Sequence, residues 1–200
     1  MIRKALAAVV AGAVLSVTAA LPAQAWHRSE KPTIAGLLAK SGGTFDNNPW
    51  DYDLLLTAAG AAGLVEALND PNARLTVFAP NDAAFTRTAK SLGYTGSSEA
   101  GAWAFLVDAL TAIGGGDPIP TLKNILLYHV SPGVRGPISV VFSNKLPTLL
   151  GTDIRVRFLE LVDKEPDLPN PYLFVPAINL RAENGVVHTI TRVLIPVNLP

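Results

Sequence analysis

The sequence predicts an α+β fold, and three observations carry that expectation. The first half of the 200-residue chain is mostly helical text, with apolar residues recurring at i, i+3 and i+4. The second half turns to strand-like alternation, in which Ile154, Val156 and Phe158 are separated by Arg155 and Arg157. Near the end, Asn184-Gly185 stands between two apolar runs. That pair favours a hairpin, because both central residues of a type I′ turn need positive φ. Helices grouped before strands fit α+β rather than a repeating βαβ pattern.

The N-terminal residues set the compartment. Met1-Ile2-Arg3-Lys4, an apolar run from Ala5 to Ala20, and Ala23-Gln24-Ala25 describe a secretory signal peptide over 1–25, cut before Trp26. The run is short and alanine-rich for a membrane span. Removing 25 of 200 residues leaves 175, a size for one domain. Losing Arg3 and Lys4 from the 16 basic side chains leaves 14 against 16 acidic ones, a formal charge of −2. That balance gives no electrostatic footprint for nucleic acid or an anionic membrane. The absence of cysteine excludes disulfides, thiolate metal sites and a lipid-modified cysteine. No Asn-x-Ser/Thr acceptor occurs. Residues 26–32 read as a loose arm and 33–200 as one domain, without an internal repeat.

Along that domain, Thr33 caps a short helix carrying Ile34, Leu37 and Leu38 on one face. Residues 44–50 form a loop, and Asp51 to Leu68 gives two short helices broken at Gly60 and Gly63. Leu75 to Ala79 is a strand stopped by Pro80, after which Asn81 or Asp82 caps a helix through Leu92. Trp103, Leu106, Val107, Leu110 and Ile113 mark another helix, ended by Gly114-Gly115-Gly116. Thr121 to Val130 is the next, with Leu122, Ile125, Leu126 and His129 on one stripe. Residues 163–171 read as a solvated, acidic, proline-rich loop. Tyr172–Val175 and Ile178–Ala182 are strand candidates before the closing hairpin. A two-residue Asn184-Gly185 loop would set Glu183 opposite Val186, Ala182 opposite Val187, and Arg181 opposite His188. Arg181 would then keep His188 neutral near pH 7.

Three segments, in order, resemble the signature of the fasciclin (FAS1) domain. They are Leu75-Thr76-Val77-Phe78-Ala79-Pro80-Asn81-Asp82-Ala83-Ala84-Phe85, then Leu126-Leu127-Tyr128-His129-Val130-Ser131-Pro132-Gly133, then Asn184-Gly185-Val186-Val187-His188 through Leu194-Ile195-Pro196. The resemblance implies a wedge-shaped β-sandwich of about seven strands with several helices packed on its edge. It further implies a single-domain secreted member of bacterial type, serving adhesion or surface interaction rather than catalysis. Thr76, Asn81, Asp82, Asn184, Gly185 and His188 match positions of the structural boxes, and Tyr128 and His129 match the motif to which binding has been attributed. In animal members an Asp-Ile pair ahead of the last box also serves integrins. Asn179-Leu180 stands there in this chain and lacks the carboxylate, so integrin binding is not implied.

The residues themselves give no catalytic constellation. There is no Gly-x-Ser-x-Gly elbow, no phosphate loop and no His-Glu-x-x-His. His129 reads as a neutral, fully hydrogen-bonded core histidine, His188 as a strand histidine at a rim, and His27 as part of the arm. Asp46 to Asp53 carries calcium-type oxygens but lacks the loop glycine and distal glutamate of a 12-residue calcium loop, so it reads as a turn. No metal or cofactor is expected. The expected partner is an extracellular protein or polysaccharide of a matrix, cell wall or host surface. The alternative is carriage of a small apolar molecule or lipid between helices and sheet, with His129 orienting it.

Overall fold

A computed structural model describes residues 31–199, apart from 44 and 47. The signal peptide, His27 and most of the arm lie outside the described residues. Leu75–Pro80 (β1) and Gly185–Ile190 (β7) run side by side and parallel at the centre of a four-stranded sheet. Val130–Pro132 (β2) and Leu180–Ala182 (β6) pair antiparallel on the two edges, giving the order β2-β1-β7-β6. A second sheet has the order β3-β4-β5, from Lys145–Pro147, Asp153–Arg157 and Glu160–Val162. Seven α-helices complete the described residues: Ile34–Ala39 (α1), Asp53–Ala61 (α2), Val65–Asn69 (α3), Asp82–Ser91 (α4), Glu99–Ile113 (α5), Pro118–Tyr128 (α6) and Pro137–Val141 (α7). The chain is α+β, with two sheets.

Both central strands are covered on both faces, which explains their nearly unbroken apolar text. Val77, Ala79 and Val187 face a core shared with Ile34, Leu38, Leu54, Leu55 and Leu126 of the helices. Phe78 and Ile190 face the opposite way, into a second core with Ile154, Val156 and Leu161 of the other sheet. The period of two along a strand thus divides one sequence between two cores. Burying an aliphatic side chain of this kind contributes about 1.5–3 kcal/mol.

Local chemistry places the helix starts. The Thr33 hydroxyl accepts from Gly36 N–H, Asn81 Oδ1 accepts from Ala84 N–H at 3.0 Å, and the Ser98 hydroxyl accepts from Gly101 N–H. Asn81, not Asp82, is therefore the cap of α4. Gly63 adopts φ 68° just beyond α2, the left-handed conformation that glycine reaches without steric cost.

Several expectations need correction. The β6–β7 turn is Glu183-Asn184, because Ala182 pairs with Gly185, Arg181 with Val186 and Leu180 with Val187. The register is displaced by two residues, so each side chain keeps its face, but Arg181 is not opposite His188. Positive φ at non-glycine residues is confined to Phe158 and Asn179 among the described residues, so the turn is not type I′. Gly185 is needed for closeness instead: a Cβ there would strike the Leu75 carbonyl across the parallel pairing. Phe158 does not continue β4; it sits in the two-residue β4–β5 turn at φ 58° and is 69% exposed. Val130 begins β2 rather than ending α6. Tyr172 and Leu173 make isolated bridges, to Glu160 and Ile190, and Val175–Ala177 is a 3-10 turn rather than strand. Pro32, read as part of a loose arm, is held by Glu183, whose N–H donates to its carbonyl.

Candidate functional site

His129 is the C-cap of α6 and is 1% exposed. Its Nδ1–H donates to the Ile125 carbonyl at 2.8 Å, and its Nε2 accepts from Leu194 N–H at 2.9 Å. These partners select one neutral tautomer. Burial holds the imidazole down to about pKa 4, against the opposing pull of the Ile125 carbonyl. The ring therefore bridges the end of a helix to the segment that follows β7. Tyr128 is also buried, and its hydroxyl donates to the Asp153 carbonyl of β4 at 3.3 Å. Burial, with the Asp163 and Asp153 charges behind it, raises its phenol pKa. Neither side chain of the pair reaches the surface. What the motif presents outward is the geometry it fixes.

His188 lies fully buried in β7, not at a rim. Nδ1 accepts from Asn179 N–H at 3.1 Å, so Nε2–H donates to the Arg135 carbonyl at 2.8 Å. Burial is the leading cause of its lowered pKa; the Arg181 charge adds to it from a distance, without cross-strand pairing. Thr76 donates to the Gly133 carbonyl at 2.7 Å and accepts from Arg135 N–H at 2.9 Å, clamping the loop after β2. Asn184, fully buried, accepts from Ile34 N–H and donates to the Leu68 and Asp70 carbonyls. These box residues join backbone segments that are distant in sequence.

Asp82 opens α4 and is completely buried, with Oδ1 accepting from Leu54 N–H at 3.1 Å. Burial, and then the neighbouring Asp51 carboxylate, lift its carboxyl well above the usual range. Asp51 lies beside it, its carbonyl accepting from Asp82 N–H, and both Asp51 and Asp53 are buried. Asp163 and Glu165 are not in a solvated loop as expected. Asp163 Oδ2 accepts from Ile195 N–H, and Glu165, 4% exposed, accepts from Asp167 and Leu199 N–H. Burial moves the Asp163 carboxyl up to about 6. Together they fasten the C-terminal segment, a role that composition alone does not disclose.

Two outward features remain. An apolar cleft of about 250 Å³ opens between α4, α5, α6 and residues 193–199, walled by Phe85, Leu92, Trp103, Leu106, Leu122 and Val197 among others. The interface between helices and sheet, where the sequence placed a ligand, holds only about 50 Å³ beside Leu38, Leu55, Val77 and His129. On the surface, Trp50 is 56% exposed yet stacks on Phe174, ring centroids 5.4 Å apart and planes 17° from parallel. Ile138 and Phe142, one helical turn apart at α7, are exposed as well.

The Fasciclin domain profile matches residues 51–196, and the chain belongs to that family. A solved structure of a FAS1 domain pair from the insect cell adhesion molecule Fasciclin I superposes with a TM-score of 0.51 at 18% identity. The match covers 82% of this chain and 51% of that one, so the chain spans about half the length of the pair. Among curated proteins, none matches in sequence. Membership makes this an adhesion- or interaction-type domain in general terms, of a family typically found outside cells or on their surface. No helix among the described residues is long and apolar enough to cross a membrane.

Proposed function

We propose that the chain is a secreted, non-catalytic adhesion protein of bacterial type. Its partner is an extracellular protein or polysaccharide of a matrix, cell wall or host surface. The observation that carries this reading is the exposed Trp50 ring, held in place by its stack on the half-buried Phe174, on a family scaffold of interaction type. Tryptophan is enriched among the residues that dominate interface energies, because it buries a large area at small entropic cost. The buried, hydrogen-bonded state of His129 and His188 supports the absence of catalysis, since both nitrogens of each ring are already engaged. The N-terminal sequence supports export. Trp50→Ala is expected to weaken capture of the partner from envelope or matrix extracts by about 10- to 30-fold, while leaving Tm within a few degrees. Failure of the wild-type protein to bind any such extract saturably at micromolar concentration refutes the reading.

A second reading, carriage of a small apolar molecule, is favoured by the cleft beside Trp103 rather than by the helix–sheet interface. Its volume of about 250 Å³ falls just below the range usual for drug-sized ligands, which starts at about 300 Å³, so the molecule carried would be small. Native mass spectrometry of protein purified from its source is expected to show a reproducible bound mass, whose removal changes Trp103 fluorescence. Protein that is invariably empty excludes this role.

A further inference from the structure

We infer that Asp46, Asp51 and Asp53 form a calcium site where the 45–53 loop meets the start of α2. Each of the three carboxylates offers one oxygen, and these atoms all lie within 4.8 Å of one another. One ion with oxygen ligands at about 2.3–2.6 Å spans that separation. Exposed acidic groups gather on many surfaces without an ion, and the burial of this group is what sets it apart. Asp51 is 2% and Asp53 4% exposed, and in each a carboxylate oxygen, Asp51 Oδ1 and Asp53 Oδ2, is buried without a hydrogen-bond partner. Among the described residues no hydrogen-bond donor reaches either oxygen. An unpaired carboxylate removed from water is costly, and a bound cation removes that cost.

The surroundings shape the same point. Gly42 lies directly behind it: a Cβ there would overlap both Asp51 Oδ2 and Asp53 Oδ1. Asn48 orients two of the ligands, its N–H donating to Asp46 Oδ1 at 2.8 Å and its Nδ2 to Asp51 Oδ2 at 3.2 Å. Histidine and cysteine are absent from the group, so its donors are hard oxygens suited to calcium or magnesium rather than zinc. Asp46 is exposed, which leaves the remaining coordination positions to water. Two buried carboxylates and one exposed one suit the larger, more adaptable calcium ion better than magnesium, which demands near-ideal octahedral geometry. The pattern differs from the 12-residue calcium loop because its glycine comes before the ligands and its back wall is Gly42, with the start of α4 against Asp51.

The test uses the purified protein, stripped with a chelator, and calcium chloride as the probe. Saturable binding is expected with Kd in the range of about 10⁻⁴–10⁻³ M usual for extracellular modules. A tenfold excess over Kd should raise Tm by about 3–5 °C. Terbium should replace calcium and luminesce on excitation of Trp50, which lies in sequence between the ligands; Trp50→Phe should lose the luminescence and keep the calcium shift. Asp53→Asn should abolish the response. Asp46→Asn, at an exposed position that endangers the fold least, should weaken it at least tenfold. Three results would overturn the assignment: no saturable shift up to 10 mM calcium, an unchanged midpoint in Asp46→Asn, or magnesium acting at the same midpoint as calcium.

Discussion

His129→Ala is expected to lower Tm by roughly 10 °C at pH 7, the consequence of losing about 3–5 kcal/mol of stability. The substitution empties a buried volume between α6 and the C-terminal segment and leaves Leu194 N–H without its acceptor. The loss should depend on pH, with a definite sign. The imidazole is held down to about 4 in the folded protein, against an ordinary value of 6.5. Between those values the unfolded chain binds the proton and the folded one refuses it, so the ring's contribution is full above about 6.5 and fades as pH falls toward 4. A shift of this size corresponds to about 3 kcal/mol across the window. The variant should therefore converge on the wild type in acid. Asp163 works in the opposite direction: its raised carboxyl favours folding at low pH and loses that contribution as pH rises through about 6. Total stability thus mixes the two, and the His129 ring should be followed directly by NMR. A ring that titrates near 6.5 in the folded protein would contradict the account.

Asn184→Ala should cost about 3–5 kcal/mol, because one side chain serves three backbone groups at once. Ile34 N–H at the start of α1, and the Leu68 and Asp70 carbonyls at the end of α3, all turn toward it. Asn184→Asp separates the acceptor from the donor. The carboxylate still accepts from Ile34 N–H, but it faces two carbonyl oxygens where the amide donated. Its folded pKa would be raised, so stability should be greater in acid and decline as pH rises through that value. Thermal unfolding of both variants at pH 4.5 and pH 7.5 checks the pair; an aspartate variant that is more stable at the higher pH contradicts it.

The local part of the fold was legible in the sequence because its causes are local. Thr33 and Asn81 cap where a hydroxyl or amide oxygen meets free N–H groups, and Ile154 and Val156 alternate as a half-buried strand requires. Asn184-Gly185 signalled a turn, but for a reason that misplaced it. The asparagine is required by α1 and α3, 114 to 150 residues away in sequence, and the glycine by the Leu75 carbonyl. The parallel contact of β1 with β7 leaves no trace at short range. The acidic group reads as a turn for a similar reason: Asp51 and Asp53 are buried against Gly42, and Asp51 against the start of α4, and no spacing rule reports burial. The apolar cleft shows only as leucines and a tryptophan on α5, which periodicity reads as core.

Leu75 and Gly185, neighbours in the central sheet, are separated by 110 residues of chain. Closing so long a loop carries an entropic cost before any contact offsets it, and folding slows as mean contact separation grows. During synthesis the middle strand pair cannot assemble until Gly185–Ile190 has been made. A chain cut short ahead of Gly185 keeps the β1–β2 pairing and the β3-β4-β5 sheet but leaves one whole edge of β1 open, a row of unpaired backbone groups that invites pairing with another chain.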